Sequence, residues 1–300
     1  MTIVEVGPRD GLQNESAEVP TAAKIAFVDA LSAAGAPVIE VSAFVSPKRV
    51  PQMADADRVF AGITRRPGTR YMALVPNQRG LERAVAAGVT DAAVFAAASE
   101  TFSRRNINQS IDESFATYSL VARDARAAGL HLRGYLSTAF GCPFEGGVPI
   151  ARVVDLTSRL LDLGVSAVAV SDTIGIAHPG QVRRALEVLV PVVGADRLAL
   201  HFHDTRGAAL ANVLAALDFG VRTFDASAGG LGGCPFAPGA SGNLATEDLI
   251  YMLNGLGLET GVDLDQVVSA SRGLARHIGH SLPSRYLQAA MATAATRDGR

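Results

Sequence analysis

Cysteine is nearly absent from this 300-residue chain: only Cys142 and Cys234 occur. Two thiols cannot build the disulfide scaffold of a small secreted domain, and their scarcity suits a reducing cytoplasm, the expected location. No apolar run reaches the roughly 18 residues that a membrane helix requires. An excess of one charge is missing as well. Lysine and arginine number 27 against 29 aspartates and glutamates, a net charge of −2 with the signs mixed along the chain. Such a surface has no field to draw nucleic acid or an anionic membrane, so neither partner is expected. The first strand starts at Thr2 or Ile3, which leaves no room for a signal or transit peptide. No GxGxxG follows that strand, which counts against a doubly wound dinucleotide-binding sheet.

What the chain does have is apolar residues, 48% of the total, and a repeated unit. An Ala/Leu-rich helical segment runs into a glycine, and a β-branched or aromatic run follows. Gly35, Gly88, Gly129, Gly164 and Gly220 occupy that junction. Glycine stops a helix there because it takes the left-handed conformation without a Cβ clash. The runs that follow, such as Ala167 to Val170, are almost wholly apolar, as parallel strands covered on both faces must be. With Ile3 to Val6, Arg70 to Val75 and Arg197 to His203 the strands total eight. The spacing predicts an α/β fold, a (β/α)8 TIM barrel with additional C-terminal helices. Residues 1–300 form one domain, the barrel over about 2–257 and a helical extension over about 258–295. The extension, with helices over Asp263 to His277 and Ser284 to Ala294, covers part of the barrel face or makes an oligomer contact.

A barrel of this kind places its chemistry at the C-terminal strand ends. His201 and His203 stand two apart on a strand, so both project from one face, which favours metal binding. Asp10 ends strand one, two strands away from strand seven around a closed barrel. An Asp carboxylate, two imidazoles and the carbonyl oxygen of Asn243 make a mixed N/O set that favours Mg²⁺ or Mn²⁺. Arg9 reads either as a surface ion pair or as a fixed charge that stabilises a developing oxyanion. Glu40, at the end of strand two, is either a solvated carboxylate or a support for Arg9 or for a metal-bound water. Asp172 is either a helix cap or a catalytic group. Residues 229–249 hold six glycines, two prolines and Cys234 just before a helical run, which reads as a shaped loop holding Cys234 and Asn243 close to something. A thiol there suits proton transfer, with His201 also counted among the catalytic candidates. Cys142, in GCPFEGG, lacks a linked ligand pattern and reads as structural.

Long motifs now carry a resemblance. VEVGPRDGLQNE (4–15), VSAFVSPKRVPQMAD (41–55), RGYLSTAFGCPFEG (133–146), SDTIG (171–175), HFHDTRG (201–207) and GGLGGCPFAPGASGNLATED (229–248) resemble the 3-hydroxy-3-methylglutaryl-CoA lyases. The resemblance runs in order from about residue 4 to 255. It implies a metal-dependent retro-Claisen lyase acting on an acyl-CoA, with Asp10, His201, His203 and Asn243 on the cation. It also implies that Arg9 steadies a thioester enolate, Glu40 supports the site and Cys234 lies on a mobile catalytic loop. Arg49 stands where animal lyases carry tryptophan, which leaves the acyl-CoA contacts less defined than the metal site. Three rivals remain: a Claisen-type synthase, expected to lack the GGLGGCP loop; a lyase for a longer-branched 3-hydroxyglutaryl-CoA; and a non-enzymatic metal-stabilised scaffold. A homo-oligomer is expected.

Overall fold

The structure is a computed structural model and describes residues 1–233 and 242–298. Eight strands pair in sequence order: β1 (Thr2–Glu5), β2 (Val38–Ala43), β3 (Arg70–Leu74), β4 (Asp91–Ala97), β5 (His131–Ser137), β6 (Val168–Asp172), β7 (Leu198–Phe202) and β8 (Thr223–Ala226). Every pairing is parallel, and β8 returns to β1 with Thr2 opposite Thr223 and Glu5 opposite Ala226. The sheet is closed, so no strand edge is left and the open doubly wound alternative is excluded.

The five junction glycines behave as the repeat requires. Gly35, Gly88, Gly129, Gly164 and Gly220 have φ of +89°, +71°, +75°, +90° and +82°, values at which a Cβ would be strained. The helices ahead of them are α1 (Thr21–Ala33), α3 (Gln78–Ala86), α5 (Ile111–Ala127), α6 (Ile150–Asp162) and α8 (Ala209–Leu217). The outer ring is completed by α2 (Ala56–Gly62), α4 (Glu100–Ile107), α7 (Pro179–Val193) and α9 (Thr246–Gly255). Helix α5 starts at a capping box: Ser110 Oγ accepts from Glu113 N, and the Glu113 carboxylate accepts from Ser110 N.

Beyond the ring lie α10 (Leu264–Ile278) and α11 (Arg285–Asp298). Helix α10 buries Val267, Leu274 and Ile278, and Asp263 N donates to Ala34 O at 2.8 Å where the extension meets α1. Asp248 of α9 accepts from Ser284 Oγ and from the amides of Arg285 and Tyr286, satisfying the orphan donors at the start of α11.

Two boundaries differ from expectation at the functional end. Strand β1 stops at Glu5, and Gly7–Gly11 forms one π-helical turn, so Asp10 sits on that turn rather than on the strand. Strand β7 stops at Phe202, and His203 instead forms an isolated bridge with Asn243. In both places the backbone leaves the ladder where its side chains turn toward the barrel mouth.

Candidate active site

The turn at Gly7–Gly11 and the end of β7 bring Asp10, His201 and His203 together, with potential ligand atoms all within 4.8 Å of one another. His201 Nε2 lies 3.9 Å from Asp10 Oδ2, and the two imidazole centroids are 5.2 Å apart. Asn243 reaches the same spot from the far side of the Gly-rich loop: its Nδ2 donates to Asp10 Oδ2 and to Leu231 O, both at 3.0 Å. Two polar atoms here are buried with no partner among the described residues, His203 Nδ1 and Asn243 Oδ1. An unpaired buried acceptor is costly, and donors of this N/O kind suit a divalent cation. The four residues therefore fit such an ion.

Arg9 stands beside this cluster and is buried. Its Nε donates to Glu40 Oε2 at 2.6 Å, its Nη2 lies 2.6 Å from the same oxygen, and its Nη1 donates to Asp10 Oδ1 at 2.7 Å. Glu40 is not at a strand end as expected. It lies within β2, fully buried, beside a register shift between Glu40 and Ser42 that bends the strand at this point. Burial works against ionisation of Asp10, yet Arg9 and the two histidines hold its carboxyl down at about 2. Burial raises the Glu40 carboxyl despite the Arg9 pair. His203, desolvated and next to His201, is pushed down to about 4 and so stays neutral at pH 7.

A further charged layer lies under these groups, and the sequence did not single it out. Asp225 of β8 is buried, and its Oδ2 faces His201 Nδ1 at 3.2 Å. Its Oδ1 accepts from Arg133 Nη2 of β5 at 2.5 Å, and Arg133 Nη1 donates to Tyr135 Oη at 3.1 Å. Burial opposes the Asp225 charge, but Arg133 and His201 keep its carboxyl below the ordinary range. The available signal was period-two alternation. Asp225 stands opposite His201 in the ladder, and Arg133 shares a strand face with Tyr135.

Asp172 differs from these. Its two oxygens accept from Ile176 N at 3.0 Å and Ala177 N at 2.9 Å, pinning the turn after β6, while its neighbours Ser171 and Thr173 line the cavity. Two other buried carboxylates hold the stems of the Gly-rich loop. Glu5 accepts from Gly7 N, Ala228 N and Thr246 Oγ1; Glu247 accepts from Gly229 N and Ser271 Oγ. Burial lifts both to about 7. Cys234 lies outside the described residues. Cys142 is buried, its thiol donating to Ser99 Oγ and accepting from the amides of Phe144 and Glu145, in a small apolar cluster with Ala97 and Phe102.

The cavity above the site is about 720 Å³, large enough for a ligand of some size. Arg9, Asp10, His201 and His203 line it, together with the apolar Leu74, Phe95 and Phe102.

Comparison with known proteins places this geometry. The HMGL-like family model matches residues 1–273. The chain belongs to the hydroxymethylglutaryl-CoA lyase family. Among relatives of this lyase family, hydroxymethylglutaryl-CoA lyase YngG of Bacillus subtilis is 51% identical over 96% of each chain. The mitochondrial lyase of Rattus norvegicus is 51% identical over 96% of this chain and 88% of its own length. A solved HMG-CoA lyase from Acinetobacter baumannii, in complex with coenzyme A and 3-methylmalate, superposes with a TM-score of 0.92 at 42% identity, covering 96% of this chain and 94% of that one. No helix among the described residues of this family member is long and apolar enough to cross a membrane.

Proposed function

We infer that this protein cleaves 3-hydroxy-3-methylglutaryl-CoA to acetoacetate and acetyl-CoA, a carbon–carbon lyase reaction. The observation that carries the reading is the buried Arg9 locked beside the Asp10, His201 and His203 cluster at the mouth of a barrel shared with lyases. In the proposed reaction the C3 hydroxyl gives up its proton and becomes the ketone of acetoacetate. The C2–C3 electron pair passes into the enolate of acetyl-CoA, and a proton delivered to C2 completes acetyl-CoA.

Asp10, His201, His203 and Asn243 would hold a divalent cation, Mg²⁺ or Mn²⁺ by the mixed N/O donors. When bound, such an ion polarises the oxygens it touches and eases loss of a hydroxyl proton. The hydroxyl proton leaves into the end of the cavity where the Asp10 carboxylate and His201 imidazole lie 3.9 Å apart. Arg9 has a different task. Its guanidinium cannot lose its proton, and Glu40 and Asp10 fix its direction, so it meets the thioester oxygen as negative charge collects there. Such preorganised charge acts in the transition state without moving. Cys234 is the proposed donor to C2, and Asp172 holds the turn that carries Thr173 into the cavity.

Cytoplasmic location and a homo-oligomer belong to the same proposal. The scarcity of cysteine supports the first; exposed Val188 and Val192 on α7 and Leu214 on α8 support the second. Relatives carry both cytoplasmic and mitochondrial names.

A panel of acyl-CoA thioesters, with products identified by mass spectrometry, tests the reading. Equimolar acetoacetate and acetyl-CoA from 3-hydroxy-3-methylglutaryl-CoA are expected. Cleavage confined to longer-branched 3-hydroxyglutaryl-CoA esters would reassign the substrate. Condensation of acetyl-CoA with a 2-oxo acid would reassign the reaction.

A further inference from the structure

The interior of a (β/α)8 barrel is ordinarily packed with branched apolar side chains. Under the mouth of this one, a layer is given over to Arg133 and Tyr135 from β5, His201 from β7 and Asp225 from β8, all buried. The Arg133–Asp225 ion pair spans the barrel between strands 92 residues apart in sequence. Such a pair contributes little to stability: desolvating two charges offsets most of their attraction, and apolar side chains of the same volume often do as well. Its geometry is specific instead. Arg133 Nη2 holds Asp225 Oδ1, which leaves Asp225 Oδ2 aimed at His201 Nδ1. Arg133 in turn is steadied by Tyr135, whose ring lies 4.9 Å below the guanidinium carbon and whose hydroxyl accepts from Nη1. The same ring meets His201 edge-on, with centroids 6.4 Å apart at 88°.

A carboxylate can only accept a hydrogen bond. The hydrogen in the His201–Asp225 contact therefore sits on Nδ1, and the lone pair of the neutral ring is on Nε2. Nε2 is the nitrogen turned toward Asp10.

We propose that Asp225 and Arg133 are positioning residues for His201. Asp225 fixes the Nδ1–H tautomer and the ring orientation, and Arg133 aims Asp225. The consequence for cation binding rests on the ligand set inferred above; the tautomer itself does not.

The test uses full-length protein with ¹⁵N-labelled histidine, the His201 signals being assigned by their loss in His201→Gln. In metal-free wild-type protein, held at a pH high enough for the ring to be neutral, ring ¹⁵N shifts are expected to show Nδ1 protonated and Nε2 unprotonated. Asp225→Asn, nearly the same shape but able to present either an oxygen or an amide, should mix the tautomers and weaken Mn²⁺ binding about 10- to 100-fold by calorimetry. Arg133→Met should move both readouts the same way by less. Circular dichroism melting separates these effects from loss of fold. An Nε2–H tautomer in the wild type overturns the proposal, even where Asp225→Asn does not fold. So does a folded Asp225→Asn with unchanged shifts and unchanged Mn²⁺ affinity. Wild-type protein that binds no Mn²⁺ while showing the Nδ1–H tautomer would instead overturn the ligand set and leave the positioning intact.

Discussion

Two groups of carboxylates, all buried except Asp10 with 21% of its side chain exposed, differ in what surrounds them. Asp10 and Asp225 touch arginine and histidine, and their carboxyls stay ionised well below the ordinary range or somewhat under it. Among the described residues, Glu5 and Glu247 have no cation as a hydrogen-bond partner, only backbone amides and hydroxyls, and burial lifts both to about 7. Burial alone therefore does not mark a reacting group. A charge partner at the mouth keeps a carboxylate available for electrostatics. Amide partners on the flank turn the same functional group into a mechanical anchor for the loop stems.

The largest effect that would break this contrast comes from the mouth. Asp10→Asn, or treatment with a chelator, should abolish cleavage, with added Mg²⁺ or Mn²⁺ restoring only the chelated wild type. Full turnover by protein shown to be metal-free by elemental analysis would refute the contrast. Next is Arg9→Met, which removes the charge common to Asp10 and Glu40. It should lower kcat roughly 10²- to 10³-fold, about 3 to 4 kcal/mol, by analogy with loss of one oxyanion donor. An unchanged kcat in folded, metal-loaded Arg9→Met would leave Arg9 a structural role only.

The two thiols give a parallel test, a proposed proton donor against a packed thiol. Cys234→Ser should lose orders of magnitude in kcat at nearly constant Tm. Cys142→Ser should keep its rate and melt a little lower, because Cys142 is packed and hydrogen-bonded. Equal activity in the two serine variants would remove Cys234 from the chemistry.

The smallest effect is the most diagnostic of the flank. Glu247 keeps its proton to about pH 7 in the folded state, whereas the unfolded chain releases it near 4.5. Between those values the folded protein binds more protons, so this contribution to stability is complete below about 4.5 and is lost as pH rises toward 7. Glu247→Gln should therefore make Tm fall less steeply with pH across that window than it does in wild type, with kcat within a few-fold. Parallel Tm profiles for the two proteins would show that Glu247 does not titrate there.

Most of the architecture was legible because it repeats. Helix, glycine and apolar strand recur often enough that the closed sheet follows from counting, and the left-handed glycines follow from sterics. The paired histidines were legible because two residues on a strand share a face. The place of Glu40 inside β2 is not legible from the sequence, because its partner Arg9 lies 31 residues away. Asp225 and Arg133 are hard to read from the sequence for a related reason. Each lies in an otherwise apolar or aromatic stretch, and 92 residues separate them, so no local pattern couples them. Glu5 escaped because its partners, Ala228 and Thr246, come from the opposite end of the chain.

The pairing of β1 with β8 has a consequence for how the protein is made. Asp10 meets Asn243 across 233 residues, and Thr2 waits for Thr223 before its strand has a second neighbour. A nascent chain on the ribosome carries Asp10 almost from the start, yet the other donors emerge only after two-thirds of the chain has been made. Long-range closure of this kind is slow relative to local helix formation. Under the proposed ligand set, cation affinity should thus appear only once β8 has closed on β1, and uptake of an ion would report that closure.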